Sequence, residues 1–287
     1  MKKKNSVLFL IIMMIVLIVG IYVAYDRLYS PSARKAATYL AVHQELDKND
    51  IDALYISTQN HNVVIRPSSD DNIKIVYYQR SDNANETSVA SKRFYLTLAE
   101  RAENLDNLFF HSDKPIDTVT IYLPAEGACS VFVSAIDGTL TVEGVGFAEL
   151  SFSNAYGALS LAECQGSQLT VDINTGDITV DKCDFIKTDI RTISGTVTVN
   201  YLDSVHERDI DISSTYGSLY INGQAVTARD ENQQAVTIRQ YVYDNPSTSS
   251  YLLVRATRST VSLNGAEDSE EKPAEEPAEE ENVSENS

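Results

Sequence analysis

A glycine that returns every nineteen residues limits this chain to very few folds. Gly138, Gly157, Gly176, Gly195 and Gly217 are 19, 19, 19 and 22 residues apart. Each lies in the same surroundings, so that Ser130–Val142, Glu149–Leu161, Gln168–Val180, Lys187–Val199 and Asp209–Ile221 align without gaps. Five residues before the glycines stand Val133, Phe152, Val171, Ile190 and Ile212. Two residues after them stand Leu140, Leu159, Ile178, Val197 and Leu219; four after stand Val142, Leu161, Val180, Val199 and Ile221. Between those two columns the residues are Thr141, Ser160, Thr179, Thr198 and Tyr220. Apolar and polar positions alternate with period two, the period of a strand. One unit is therefore strand, glycine turn, strand, with the glycine supplying a positive φ that a Cβ makes costly. A single unit cannot bury its apolar row, so successive units are expected to stack, in chain order, as a parallel β-helix-like solenoid. At about 4.8 Å per coil, five coils span ~24 Å.

A sixth copy follows a gap. Leu252–Gly265 matches Ile210–Gly223 at an offset of 42, with Ser259 in the place of the glycine. The intervening Ala225–Ser250 reads as a degenerate coil or a hairpin excursion. Upstream, alternating runs separated by turn residues predict strands at Ile51–Thr58, Asn62–Arg66, Asn72–Tyr78, Arg93–Leu98, Leu108–His111 and Thr118–Leu123. The expected division is 1–25 cytosolic lysines and anchor, 26–50 linker or short helix, 51–126 leading strands, 127–265 glycine-marked coils, and 266–287 tail. The tail repeats Pro-Ala-Glu-Glu at 273–276 and 277–280. Like charges repel there and little apolar surface is available, so it is expected to be disordered.

Lys2, Lys3 and Lys4 precede Val7–Ala24, eighteen residues of which only Gly20 and Tyr22 are not strongly apolar. As a helix this run is about 27 Å long, enough for a bilayer core. A signal peptide has a shorter apolar region of ~7–15 residues, and cutting after Ala24 would leave Tyr22 where a small residue is wanted. An uncleaved single-pass anchor through residues 7–24 is the favoured expectation. The lysine asymmetry then places the N-terminus in the cytosol and the remainder outside the cell membrane.

Charge narrows the partners. The chain carries −18 overall, −12 of it in residues 26–264. An acidic face does not take up phosphate backbones, so nucleic acid is excluded as a partner. No nucleophile elbow, HExxH, CxxC, P-loop or GxGxxG accompanies His43, His61, His111 or His206, so no catalytic, cofactor-binding or metal residue is assigned. His206, beside Glu207, reads as an exposed loop histidine. Cys164 and Cys183 lie seven residues after their glycines and are expected to stack in neighbouring coils as buried thiols, with Cys129 unpaired. Asp189 and Asp211 share a column near Asp209. Lys187 beside Asp209 and Arg191 beside Asp172 make a solvated charged face the expectation there, rather than a calcium site. Threonines 139, 141, 179, 196 and 198 form broken outward rows, as strand surfaces do. Sixteen tyrosines without tryptophan, with Tyr156 and Tyr216 each one residue before a glycine, offer an amphipathic binding face.

The order Ile51-Asp-Ala-Leu-Tyr-Ile-Ser-Thr58, Asn62-Val-Val-Ile65, Val119-Thr-Ile-Tyr-Leu-Pro124, then coils such as Ser214-Thr-Tyr-Gly-Ser-Leu-Tyr-Ile221, resembles the bacterial DUF4097 family of adhesin-named proteins. The resemblance covers Ile51–Gly265, 215 of 287 residues, and departs at Ser259 and at the 26-residue interruption. It implies a β-helix-like fold and a cell-envelope setting, in which some members accompany envelope-stress regulators and several are membrane-anchored. It implies no catalytic residues. The expected function is a non-enzymatic, membrane-anchored binding module, adhesin-like or stress-related, with an unidentified envelope polymer or protein as partner. An enzyme acting on envelope polysaccharide and a self-associating scaffold are the rivals, because fold alone does not decide activity.

Overall fold

The computed structural model describes residues 2–81, 86–99, 101, 114–124, 129–227 and 238–266. The acidic tail beyond Ala266 and the strand expected at Leu108–His111 lie outside the described residues. Two helices open the chain, α1 (Lys2–Tyr29) and α2 (Pro31–Thr38). Ahead of the glycine repeat come β1 (Tyr39–Asp47), β2 (Ala53–Thr58), β3 (Asn62–Pro67), β4 (Asn72–Arg80), β5 (Glu86–Ala90), β6 (Arg93–Leu98) and β7 (Thr118–Leu123). The repeat supplies β8 (Ser130–Asp137), β9 (Leu140–Glu143), β10 (Gly146–Tyr156), β11 (Leu159–Ala162), β12 (Gln165–Thr175), β13 (Ile178–Asp181), β14 (Asp184–Ser204), β15 (Asp209–Thr215) and β16 (Ser218–Ile221). The last strands are β17 (Gln224–Ala225), β18 (Ile238–Tyr243), β19 (Tyr251–Thr257) and β20 (Ser259–Ala266).

Each coil lays one strand in a front sheet, turns at the marker position, and lays the next in a back sheet. The two sheets face each other across the apolar rows. In the front sheet, Leu96, Ile56, Val133, Phe152, Val171, Ile190, Val254 and Ile212 form one in-register column, and none is more than 3% exposed. Val119, Val63, Leu140, Leu159, Ile178, Val197, Val261 and Leu219 form the facing column of the back sheet. Strand β14 runs unbroken from the front sheet to the back. Hydrogen bonding thus joins both faces into one twenty-stranded sheet.

The coils do not stack in chain order, and this corrects the expectation from the repeat. Parallel pairing places β6/β7 first, β2/β3 second, then β8/β9, β10/β11, β12/β13 and the two halves of β14. Seventh come β19/β20, and β15/β16 are eighth. At both ends the chain lays down one coil out of turn, and a neighbouring segment fills the place between. Eight coils at about 4.8 Å give a stack of ~34 Å from first to last. The repeat does not distinguish these orders, because every coil offers its neighbour the same apolar columns and the same backbone ladder. The sixth sequence copy therefore fits between the fourth and fifth as well as it would fit outside them.

Antiparallel strands close the ends, where a bare parallel edge would be left open to other chains. Strands β4 and β1 extend the back sheet beyond β7, and β5 extends the front sheet beyond β6. At the far end β18 lies against β15, and β17 against β16. The interruption before the sixth copy is thus a hairpin excursion in its described part. Residues 39–47, within the stretch read as a linker or short helix, form the outer cap strand instead.

The turn glycines are required mainly by close approach. A Cβ on Gly157 would lie 1.8 Å from the carbonyl oxygen of Gly138, and one on Gly176 would lie 1.5 Å from that of Gly157. Each glycine therefore vacates the space that the previous coil's carbonyl fills. In the last two positions the positive φ moves one residue earlier, to Arg258 (54°) and Tyr216 (59°). That shift accommodates Ser259 in the glycine column. Its hydroxyl donates to the Thr257 carbonyl at 2.9 Å.

Helix α1 is one uninterrupted helix, and its side chains from Ile12 to Tyr22 are exposed. Side chains at 7–11, the first part of the expected anchor, are outside the described set. Among the described residues no helix is long and apolar enough to cross a membrane. Helix α2 packs on the N-terminal cap, where Ala36, Tyr39 and Ile116 form a small buried cluster against Tyr78. The Lys114 ammonium donates to the carbonyls of Ala36 and Tyr39, each at 2.8 Å. The first bond satisfies an acceptor at the end of α2 that the helix itself leaves open, and the second holds the start of β1 to the same ammonium.

Candidate functional site

The out-of-order start of the solenoid builds a feature that no single repeat contains. Along β2 the side chains of Leu54 and Ile56 enter the core, so Tyr55 between them faces outward. Phe94 and Leu96 do the same for Tyr95, and Val131 and Val133 for Phe132. Because β2 lies between β6 and β8, Tyr95, Tyr55 and Phe132 fall in one row. The rings stack: Tyr55 is 4.9 Å from Tyr95 at an interplanar angle of 16°, and 4.7 Å from Phe132 at 10°. All three are half-buried.

Beside this strip runs a row of hydroxyls, Thr97, Ser57, Ser134 and Ser153, each in register with the next. The partner of Phe132 on the far side is Ser151, so the aromatic row ends on a small residue. Strip and hydroxyl row line a groove of about 230 Å³. This lies below the ~300–1,000 Å³ of pockets for drug-sized ligands, and so suits a single ring of a larger ligand. A second groove, of about 310 Å³, crosses the corner at Gly146, Gly166, Ser167, Asp184 and Ile186. The one aromatic residue lining it, Phe147, is only 4% exposed.

The other candidates are structural. Cys129, Cys164 and Cys183 are free and buried, and the Cys164 amide lies 3.4 Å from the Cys183 sulfur. The adjacent Cys164 sulfur and burial both push the Cys183 thiol up, and burial pushes Cys129 up to about 12. Burial shields all three sulfurs from reagents in solution. In native protein all three cysteines are expected to resist alkylation, and to react fully in denaturant without reductant. A crosslinked 164–183 peptide in the mass spectrum would contradict this.

Asp189 and Asp211 are not neighbours, because Leu253 of the inserted coil stands between them. Lys187 and Asp209 are likewise separated, by Tyr251. Each carboxylate of the expected column has its own arginine: Arg191 donates to Asp189 at 2.9 Å, and Arg255 to Asp211. The Arg255 hydrogen bond holds the Asp211 carboxyl below the usual carboxylate range. Among the described residues no group of three His, Cys, Asp or Glu is placed to hold a metal ion.

The threonine rows are interrupted and partly engaged. Asn62 accepts from the Thr139 amide and hydroxyl, and Asp177 from the Thr196 amide. His206 is not a free loop histidine: its Nε2 lies 2.9 Å from the Tyr241 hydroxyl, and its ring packs 4.3 Å from that of Tyr243. Arg208, 4% exposed, pairs with Asp203 at 3.0 Å and covers the Tyr201 ring at 3.6 Å. Tyr156 and Tyr216 are exposed, but Tyr156 pairs with Asp137 and Thr175 and stacks on neither. The tyrosines that line a groove are instead Tyr55 and Tyr95, which the glycine columns do not contain. Their signal in the sequence is an aromatic residue between two apolar ones in a predicted strand.

A family model described as Toastrack DUF4097 matches residues 51–236. No curated protein matches the chain. Among solved structures, a "putative cell adhesion protein" from Clostridium sporogenes ATCC 15579 is similar at 12% identity and a TM-score of 0.43, covering 79% of this chain and 100% of its own. A "putative adhesin" from Bacteroides fragilis NCTC 9343 is similar at 8% identity and a TM-score of 0.29, covering 79% and 97%. Likeness at that level carries no argument about the site.

Proposed function

The chain belongs to the Toastrack DUF4097 family, and from that premise we propose that it is a membrane-anchored binding module. Its solenoid stands outside the cell and holds an envelope component without chemically changing it. The observation that carries this reading is the strip Tyr95–Tyr55–Phe132 beside its hydroxyl row. Half-buried aromatic rings on a rigid sheet offer large contact area at little entropic cost. Parallel pairing of β6, β2 and β8 within the front sheet fixes their spacing, and the groove around them is open to solvent. The exposed apolar side chains from Ile12 to Tyr22 support the anchor, since a water-facing apolar run of that length marks an interaction surface. Helix α2, which follows α1 directly, packs on the N-terminal cap, so the strip occupies the three coils at that end of the stack.

Two measurements test the two halves of the proposal. Full-length protein in detergent is expected to co-sediment with purified cell-wall material and to lose most of that retention as Tyr55→Ala/Phe132→Ala. Wild-type protein left in the supernatant with every envelope fraction would overturn the binding role. For the anchor, protease added to intact cells is expected to remove the solenoid and spare the N-terminal segment. A secreted species beginning near Tyr25 would overturn that arrangement.

A further inference from the structure

We propose that the groove beside Phe132 is a carbohydrate subsite, in which one sugar ring of an uncharged glycan stacks on the open face of Phe132 above Ser151. The inference rests on the binding role proposed above and names its ligand class. Three aromatic rungs repeat at nearly the strand spacing, 4.9 and 4.7 Å. The next rung, at Ser151, carries only a hydroxymethyl group. One ring-thick step of the ladder is therefore unfilled, bounded by the Phe132 face on one side and open above Ser151. A sugar ring has the matching shape: a face of C–H bonds to lie on the aromatic ring, and hydroxyls around its rim.

The rim finds its partners in the neighbouring row. Ser134 and Ser153 flank the step, and Ser57 and Thr97 continue the row. Each is a hydroxyl that both donates and accepts, as sugar hydroxyls do. A flat aromatic ligand would use the ring but leave this row unpaired, and sites built around hydroxyl partners discriminate against ligands that lack them. Charge disfavours an acidic ligand at the Ser151 end of the groove. Glu149 lies two residues before Ser151, and Asp172 is the register partner of Ser153. Arg93 lies two residues before Tyr95, at the far end of the strip from Ser151, and Lys187 and Arg191 lie on β14, the second strand beyond β10. A phosphate, a uronic acid or a sialic acid would be repelled by these carboxylates, whereas a neutral hexose or N-acetylhexosamine carries no charge to repel.

The test uses full-length protein in detergent micelles and two uncharged probes, cellohexaose and chitohexaose, with hexagalacturonate as the anionic comparison. Saturation-transfer NMR is expected to show ring protons of at least one neutral probe in contact with the protein, with Kd on the order of 1 mM for so small a contact. Hexagalacturonate is expected to give no signal. Ser151→Tyr, which adds the missing rung, should weaken binding at least tenfold while leaving the melting curve cooperative. Phe132→Leu, which keeps an apolar strand residue but removes the stacking face, should do the same and carries the test if Ser151→Tyr does not fold. Absence of transfer to both neutral probes, or equal transfer to wild type and Phe132→Leu, overturns the subsite. If wild type and Ser151→Tyr are both retained equally on cell-wall material, the subsite fails while the binding role stands. If wild type is not retained at all, the binding role itself fails.

Discussion

Replacing Gly176 with valine is expected to destabilise the solenoid by more than about 3 kcal/mol, enough to lower the melting temperature of the full chain sharply. Two costs add. The backbone of Gly176 has φ of +152°, and a β-branched residue there is strained by roughly 1–3 kcal/mol. The new Cβ would also lie 1.5 Å from the Gly157 carbonyl oxygen, so two coils must part. Parting them opens the adjoining rungs, and ladder bonds run on both sides: the Gly157 amide donates to Thr175 at 3.0 Å, and that of Gly176 to Ser194 at 3.0 Å. Thr179→Ser, three residues away on the outer face of the back sheet, should cost no more than about 0.5 kcal/mol. Equal shifts for the two variants would contradict the stacked-turn account.

Truncation after Ser250 should have a still wider effect, because the segment it removes is an interior coil. Leu252, Val254, Val261 and Leu263 are each at most 1% exposed. At roughly 1.5–3 kcal/mol per buried aliphatic side chain their loss totals about 6–12 kcal/mol, comparable with the whole stability of a typical domain. Were the sixth copy simply the last coil, the truncated chain would keep five sequential coils and a protected fifth copy. With β19 and β20 between β14 and β15, the fifth copy loses its parallel neighbour. Limited proteolysis is then expected to cut within 205–225, although those residues are still present. Protection of that segment would contradict the inserted coil.

The coil interior was legible in the sequence and the coil order was not, for one physical reason. Side-chain period and turn glycines are local, so the columns through Val133 and Leu140 can be read from spacing alone. Which coil touches which is decided by long-range pairing among chemically equivalent edges, and nothing in Ile190, Ile212 or Val254 marks its neighbour. Among the cap strands β4 was legible from its apolar alternation, whereas β1, β5 and β18 were not, because they are one-sided. In β1, from Leu40 to Asp47, the side chains are exposed or half-exposed, so no apolar alternation reveals them. The candidate site follows the same logic. Tyr55 and Tyr95 could be recognised as outward aromatics, but their union with Phe132 depends on β2 entering between β6 and β8. Tyr156 and Tyr216, singled out by their position before the glycines, sit at turns, and the in-register neighbours of Tyr156 are the polar Asp137 and Thr175.

The insertion that creates the aromatic strip can be measured directly with paired cysteines on the hydroxyl row. Thr97 is in register with Ser57, and Ser57 with Ser134. The native cysteines are buried and do not compete in folded protein. Adjacent strands are about 4.8 Å apart and next-but-one strands ~9.6 Å, so a thiol bridge with a reach of about one strand spacing separates the cases. The account predicts efficient crosslinking in Ser57→Cys/Ser134→Cys and in Thr97→Cys/Ser57→Cys, and none in Thr97→Cys/Ser134→Cys. Coils stacked in chain order would crosslink Thr97→Cys/Ser134→Cys and leave Ser57→Cys/Ser134→Cys unlinked, and that result would contradict both the fold and the site built on it.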